Sequence, residues 1–406
     1  MQNYFNSIFE KFNVNYIIII TLIFNLPVLS QRLSVVSPVD AGFDPQRLAK
    51  VDKVIQSSIE YNETPGAVLF VVRDTTIVYQ EAYGDRQLLP ERERMTLSTV
   101  FDLASITKPV ATASAIFILV ERGEIQLQDP VSRFIPGFNS WRDVDKNTED
   151  EIRIIHLLTH TSGFSYPPVQ QLVLEHGSPA PGALIDYVSN LKRTVKPGSS
   201  YSYSCTHYVI LQQIIEIVSG KTLSEFCDDN IFKPLGMKNT TYNPTKEIRE
   251  IIAPTTYEEE KLLRGIVHDP LARKLMGGIS GNAGLFSNGK DLALFAAMLL
   301  NKGTLNGTSI FSPLTVSAFT EIPKGYELFG RSPGWDIHSD YSSNQGDLFS
   351  ENTYGHTGYT GTSIVIDPET RVAVILLTNR VHPDDSSSVV RLRSLVANIV
   401  AGSIIE

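Results

Sequence analysis

Ser105-Ile106-Thr107-Lys108 sets a hydroxyl and an amine three residues apart where an apolar helix begins. Side chains at that spacing share a helix face, so Lys108 Nζ can approach Ser105 Oγ. The helix N-terminus also favours negative charge developing on that oxygen. A desolvated lysine with a depressed pKa is neutral and can take the serine proton, which turns an ordinary alcohol into a nucleophile. The pattern is cheap by itself, since Ser189 with Lys192 and Ser287 with Lys290 repeat it. Only Ser105 opens a long apolar run (Val110, Ala113, Ile116, Leu119 and their neighbours), directly after Val100-Phe101-Asp102-Leu103. Pro109 falls in the first turn, where no backbone donor is lost.

Two further clusters carry chemistry. Tyr201-Ser202-Tyr203-Ser204-Cys205 follows the turn signal Pro197-Gly198 and precedes a helix starting near His207. One phenol held near a lysine can shuttle a proton, although tyrosines before a helix more often pack with a satisfied hydroxyl. The third cluster, Gly355-His356-Thr357-Gly358-Tyr359-Thr360-Gly361-Thr362-Ser363, leads into the apolar Ile364-Val365-Ile366. Glycine in a strand often marks close backbone approach by a ligand, and an edge strand can dock an extended substrate. His156, His160 and His268-Asp269 have no companion at a known metal-site spacing, so structural roles are expected and no metal or other cofactor is assigned. No Gly-x-Ser-x-Gly elbow occurs. Trp335 either lines a cleft or packs an edge.

These clusters need elements to hold them. Leu48, Val51, Val54, Ile55 and Ile59 fall on one helical stripe between Pro45 and Tyr61. Gly66 to Val72 and Thr76 to Tyr79 read as a hairpin across Arg73-Asp74-Thr75. Thr362 to Asp367 and Arg371 to Thr378 read as a second hairpin, followed by a helical tail from Ser387 to Val400. Between the hairpins the pattern is mostly helical, at Thr107 to Gly123, Ile152 to Thr159, His207 to Ser219, Leu223 to Ile231 and Lys290 to Asn301. Strands at both ends around a helical middle imply one sheet built from both ends of the chain. The fold class is α/β (α+β), with the helical segment packed beside the sheet.

The 406 residues are 42% hydrophobic and 19% charged, the composition of an ordered globular protein. Lys+Arg 35 against Asp+Glu 44 gives a net charge of -9, with no basic run, so a nucleic-acid partner is not expected. Cys205 and Cys227 are too few for a disulfide framework, and their separation does not show whether they pair. Tyr16 to Phe24 reads YIIIITLIF, too short to cross a bilayer but fitting the apolar part of a secretory signal over residues 1–30; an uncleaved N-terminal anchor or a misplaced start is the alternative. No other membrane-integral domain is expected. The protein is then exported, periplasmic or secreted.

Taken in order, Ser105-x-x-Lys108, Tyr203-x-Cys205 and His356-Thr357-Gly358 resemble the three signature elements of the penicillin-recognising serine hydrolases. The branch resembled is that of class C β-lactamases, DD-peptidases and related esterases. Further matches are Phe101-Asp102-Leu103-Ala104-Ser105, His156-Leu157-Leu158-Thr159-His160-Thr161-Ser162-Gly163, Pro234-Leu235-Gly236-Met237, Gly284-Leu285-Phe286-Ser287 and Leu376-Leu377-Thr378-Asn379-Arg380. The resemblance covers residues 42–401 and implies the β-lactamase/transpeptidase-like fold: an antiparallel sheet subdomain over about residues 42–104 and 285–401, and a mostly helical insertion over about 105–284.

By that resemblance Ser105 is the acylated nucleophile, Lys108 its partner in proton transfer and Tyr203 the base. His356, Thr357, Gly358, Tyr359 and Cys205 contact substrate, with the backbone N–H groups of Ser105 and Tyr359 as oxyanion donors. His356 stands where β-lactamases usually carry a lysine that meets a substrate carboxylate, and it would be partly charged at neutral pH. Cys205 replaces the usual Asn or Asp, and a thiol is a weak hydrogen-bonding group. The implied function is a serine hydrolase acting through an acyl-enzyme, D-Ala-D-Ala carboxypeptidase-like or esterase-like, on a small-molecule or peptide substrate such as a cell-wall peptide. The alternatives are a true class C-type β-lactamase and, in another class, a penicillin-binding-type scaffold without turnover.

Overall fold

Residues 66–72 and 372–378 are apolar at almost every position, which suits strands buried on both faces. The computed structural model describes residues 33–406 except 144, 340, 341 and 343, so the apolar segment Tyr16 to Phe24 and its export reading lie outside the described residues. In chain order, β1 (Ser34–Val35), β2 (Gly66–Arg73) and β3 (Thr76–Gln87) are followed by β4 (Val100–Asp102), β5 (Thr241–Tyr242) and β6 (Leu285–Asn288), and then by β7 (Tyr354–Thr357), β8 (Ser363–Asp367) and β9 (Val372–Thr378). The large sheet runs β1-β3-β2-β9-β8-β7, with the two-residue strand Glu93–Arg94 added on β3. The chain ends meet where β2 pairs with β9, from Arg73 opposite Val372 to Ala67 opposite Thr378. The sheet is mixed rather than wholly antiparallel, because β1 pairs with β3 in parallel after a crossover through the first helix and β2.

Alternation along β2 divides the core. Ala67, Leu69 and Val71 face the stripe of α1 (Lys50–Glu60), with Val51 and Ile55, and the C-terminal helix, with Leu392, Val396 and Val400. Val68, Phe70 and Val72 face the other way, into a cluster that runs without a break into α2 (Ala104–Glu121), α3 (Thr206–Ser219) and α4 (Gly289–Leu300). α2 is apolar enough to cross a bilayer by length and composition, yet 83% of that stretch is buried inside the protein. The last helix, α5 (Val390–Gly402), starts three residues later than its periodicity predicts. Arg380 holds the preceding segment as a loop, pairing with Asp385 and donating to the carbonyl of Ser387, both at 2.7 Å.

A small sheet, β4-β6-β5, connects the two parts. Asp102 pairs with Phe286 and Val100 with Asn288, so the strand entering Ser105 is fixed against the strand that precedes α4. α4 in turn lies flat on the large sheet: a Cβ at Gly289 would overlap the Phe70 ring. Phe70 is 1% exposed at this junction. Phe70→Ala is therefore expected to lower the unfolding free energy by about 3–5 kcal/mol, read from urea unfolding against the unsubstituted protein.

Candidate active site

Ser105 sits at the start of α2, where a 3-10 turn (Ala104–Ile106) passes into a π-helical stretch (Lys108–Ala113) before the regular helix. Ala104 takes a φ of +46°, a left-handed conformation that costs a non-glycine residue about 1–2 kcal/mol. Its N–H is tied down by Asp102, whose buried carboxylate accepts from Ala104 N at 2.9 Å and from His268 N at 2.7 Å. In a tight turn, residues three apart eclipse, and Lys108 Nζ donates to Ser105 Oγ at 2.9 Å.

Lys108 is wholly buried. Its Nζ also donates to the carbonyl of Asn282 at 2.9 Å and to Cys205 Sγ at 3.8 Å. Burial pushes its pKa down, but Cys205 and Tyr203 beside it push up and prevail, so the pKa lies above the ordinary lysine value. That direction runs against the depressed pKa a proton-accepting lysine needs, and each contact is one an ammonium can donate to.

The structure separates the two tyrosines. Tyr203 lines the same cleft as Ser105, and Lys108 Nζ lies 5.1 Å from the centre of its ring. Tyr201 turns instead towards Arg331, whose Nη1 donates to its hydroxyl at 3.3 Å. Cys205 lies beside Lys108 as a free thiol, and burial raises its pKa. Cys227 is also free, deep in the core, with its sulfur 3.7 Å from the carbonyl of Ala111.

The third cluster meets the nucleophile across the fold. Thr360 Oγ1 donates to the carbonyl of Asp102 at 2.7 Å and Thr362 Oγ1 to that of Leu103 at 3.1 Å. A Cβ at Gly358 would overlap Leu103 O and Thr362 Oγ1, so only glycine lets the two segments lie this close. Gly358 N donates to Thr362 O at 2.7 Å, and Gly361 N to Gly358 O at 3.0 Å, closing a turn that carries Tyr359. The threonines and glycines expected to admit a ligand thus also bind the protein to itself. Tyr359 is held from the side: His268 stacks on it at 5.5 Å, Arg380 lies 4.6 Å over its ring, and its hydroxyl donates to Asp385 at 2.9 Å. The expected open edge of β7 is closed at Gly355, which exchanges two backbone hydrogen bonds with Asp336.

Ser105, Tyr203, His356, Thr357, Gly358 and Tyr359 all border one cleft of about 360 Å³. The other Ser-x-x-Lys pairs are elsewhere. Ser189 Oγ bonds its own helix at Ile185 O and Ser287 Oγ meets Thr240, while Lys192 and Lys290 are exposed. Trp335 packs among Phe319 and Tyr354 and is wholly buried. His156 accepts from Arg153 N at a helix start, and His160 pairs with His207 under the Tyr203 ring. Sequence reasoning missed Asn282, which acts through its backbone and leaves no side-chain sign. It also missed Arg331 and Arg393, which line the cleft. Arg393 had a signal, a charge on the apolar stripe of α5. Its Nη2 donates to Gly358 O at 2.8 Å and Thr362 O at 3.0 Å, bracing the Tyr359 turn.

A family model described as Beta-lactamase matches residues 51–398. A Salmonella enteritidis PT4 protein named "Putative D-alanyl-D-alanine carboxypeptidase" is 34% identical over 376 residues, spanning 86% of this chain and 86% of its own length. Among solved structures, an octameric penicillin-binding protein homologue from Pyrococcus abyssi is similar with a TM-score of 0.67 and 25% identity, over 88% of this chain and 78% of that one. EstCE1, a hydrolase with promiscuous acyltransferase activity, superposes with a TM-score of 0.69 at 24% identity, over 88% of this chain and 99% of that one.

Four buried or half-buried histidines are held towards the neutral form. Burial pushes His356 and His160 well below the usual histidine value, His207 to about 3 and His156 to about 4. For His356, Arg331 and Lys108 add repulsion, which corrects the expected partial charge at neutral pH. Below about pH 6.5 the unfolded chain takes up protons that the folded chain refuses, so stability falls with pH, by about 1.4 kcal/mol per unit for each such histidine until its folded pKa is reached. His207→Asn is expected to flatten this dependence by about that slope between roughly pH 6 and 4, measured as unfolding free energies in urea at each pH.

Proposed function

Because the chain belongs to the beta-lactamase family and is a serine hydrolase, we propose that Ser105 forms an acyl-enzyme with a peptide of the D-Ala-D-Ala type. The observation that carries this reading is Lys108 Nζ at 2.9 Å from Ser105 Oγ, with Tyr203 on the same cleft. Ser105 Oγ attacks the scissile carbonyl as its proton passes to Tyr203, the base beside the Lys108 side chain. Tyr203 returns the proton to the leaving amine and later activates the water that releases the acyl group. The developing oxyanion lies against the N–H groups of Ser105 and Tyr359; donors of this kind are worth about 3–4 kcal/mol each. The carboxypeptidase name carried by the relatives supports the peptide substrate. Such peptides belong to cell walls, and residues 1–30, read as an export signal or N-terminal anchor, would take the protein there.

Ester hydrolysis is a second reading, favoured by Cys205. The thiol 3.8 Å from Lys108 stands where an amide would meet a substrate's acylamino group, and an ester has no such group to lose.

Exposure to benzylpenicillin or an activated ester is expected to give a covalent adduct by intact mass, absent in Ser105→Ala. Full hydrolysis by Ser105→Ala would refute the assignment. Tyr203→Phe is expected to lower kcat by about 10²-fold or more with unfolding unchanged. Tyr201→Phe, whose hydroxyl faces Arg331, should cost far less; the reverse order would transfer the base to Tyr201.

A further inference from the structure

Tyr203 lies in a stretch, Tyr201 to Ser204, that belongs to no helix or strand, so no regular element fixes its backbone. One residue holds it from both sides. The carbonyl of His160 accepts from Ser202 N at 2.9 Å, and His160 Nδ1 accepts from Ser204 N at 3.3 Å. Between these two bonds the His160 ring lies against the Tyr203 ring, with centroids 4.4 Å apart and 34° between the planes. His160 is wholly buried and takes a φ of +57°, a left-handed conformation that few non-glycine residues adopt. Such conformations persist where the surroundings impose them, and they cluster at functional sites.

The bond from Ser204 also fixes a tautomer. A backbone N–H only donates, so His160 Nδ1 presents a lone pair and the ring hydrogen sits on Nε2. His207 Nδ1 lies 2.8 Å from that same nitrogen and is then the donor, with its own hydrogen on Nδ1. The Ser204 backbone bonds His207 as well. A proton added at His160 Nδ1 would break both of its bonds. Burial opposes that proton, and His207, Arg331, Lys108 and His356 add repulsion.

We propose that His160 is the positioning residue for Tyr203, clamping the backbone on either side of the phenol and backing its ring, and that His207 locks the tautomer this clamp needs. A base that takes a proton from Ser105 and later one from water must return to the same place, and a misplacement of about 1 Å costs about 10²-fold. His160 acts through Tyr203 and not on the substrate. The inference rests on the reading of Tyr203 as the base.

The test sets His160→Asn beside His160→Gly, with kcat and KM read on an activated ester. Both replacements tolerate a positive φ and both remove the ring. Only asparagine keeps an acceptor, Oδ1, as many bonds from the backbone as histidine Nδ1. His160→Asn should exceed His160→Gly in kcat by about 10-fold or more, with KM alike in the two. In a Tyr203→Phe background the two should not differ, since the clamp then holds no base. Equal kcat in the two single variants overturns the inference, and so does a gap that persists with Tyr203→Phe. Should either variant fail to fold, the tautomers of the unsubstituted protein decide. Imidazole nitrogen shifts should place the hydrogen of His160 on Nε2 and that of His207 on Nδ1, with the signals assigned by proximity to Tyr203 and to Phe164, which packs 5.2 Å from His207. The opposite pair of tautomers sinks the clamp. A loss in Tyr203→Phe with equal His160 variants sinks only the role of His160. If Tyr203→Phe alone leaves kcat unchanged, the reading of the base fails and the inference with it.

Discussion

Two threonine hydroxyls bind the start of the reactive helix to the far end of the chain. Thr360 and Thr362 donate to the carbonyls of Asp102 and Leu103, across 258 and 259 residues of sequence. These carbonyls belong to the segment that must bend sharply, with Ala104 at a positive φ, to present Ser105. Buried carbonyls need partners, and among the described residues the hydroxyls given to these two come from Thr360 and Thr362, at the turn that carries Tyr359. The Leu103 carbonyl also accepts from Ile106 N at 3.1 Å within its own turn, and the threonine bonds set the nucleophile and the turn opposite it against each other. Gly358 makes the contact possible, since any side chain there would collide with Leu103 O.

The rest of the architecture serves this junction. β2 and β9 join the chain ends in one sheet, β4 and β6 fix the strand before Ser105, and Arg393 braces the Tyr359 turn from α5. The electrostatics follow from the same burial. The pKa of Lys108 is raised because acceptors surround it, whereas those of His356, His160 and His207 fall because no anion replaces the water they gave up. In a low dielectric, a charge survives where its hydrogens are met. The cleft therefore carries positive charge at lysine and arginine positions, and not at the histidine of the third cluster.

Much of the fold was legible because it is written in periodicity. The two hairpins, the stripe of α1 and the apolar run of α2 each show a repeat that one element alone explains. The chemistry was legible where two reactive groups are neighbours in sequence, as with Ser105 and Lys108. It was less so at Tyr201 and Tyr203, two residues apart in an irregular segment, where local pattern assigns no direction and only Arg331 and Lys108 separate them. The threonines near Gly358 read as a ligand's approach, because a sequence does not display the carbonyls waiting for them.

The sequence by itself determined the elements, their order and the reactive pair at the head of α2, since each depends on residues within a few turns of one another. The tertiary structure alone decided the charge states of Lys108 and His356, which phenol faces the nucleophile, and the presence of Arg331 in the cleft. These depend on desolvation and on partners from distant segments: Cys205 and Asn282 for the lysine, β7 and Asp336 for the arginine. Spacing along a chain carries no record of which water a fold removes, and the loss of that water sets the chemistry of the buried groups.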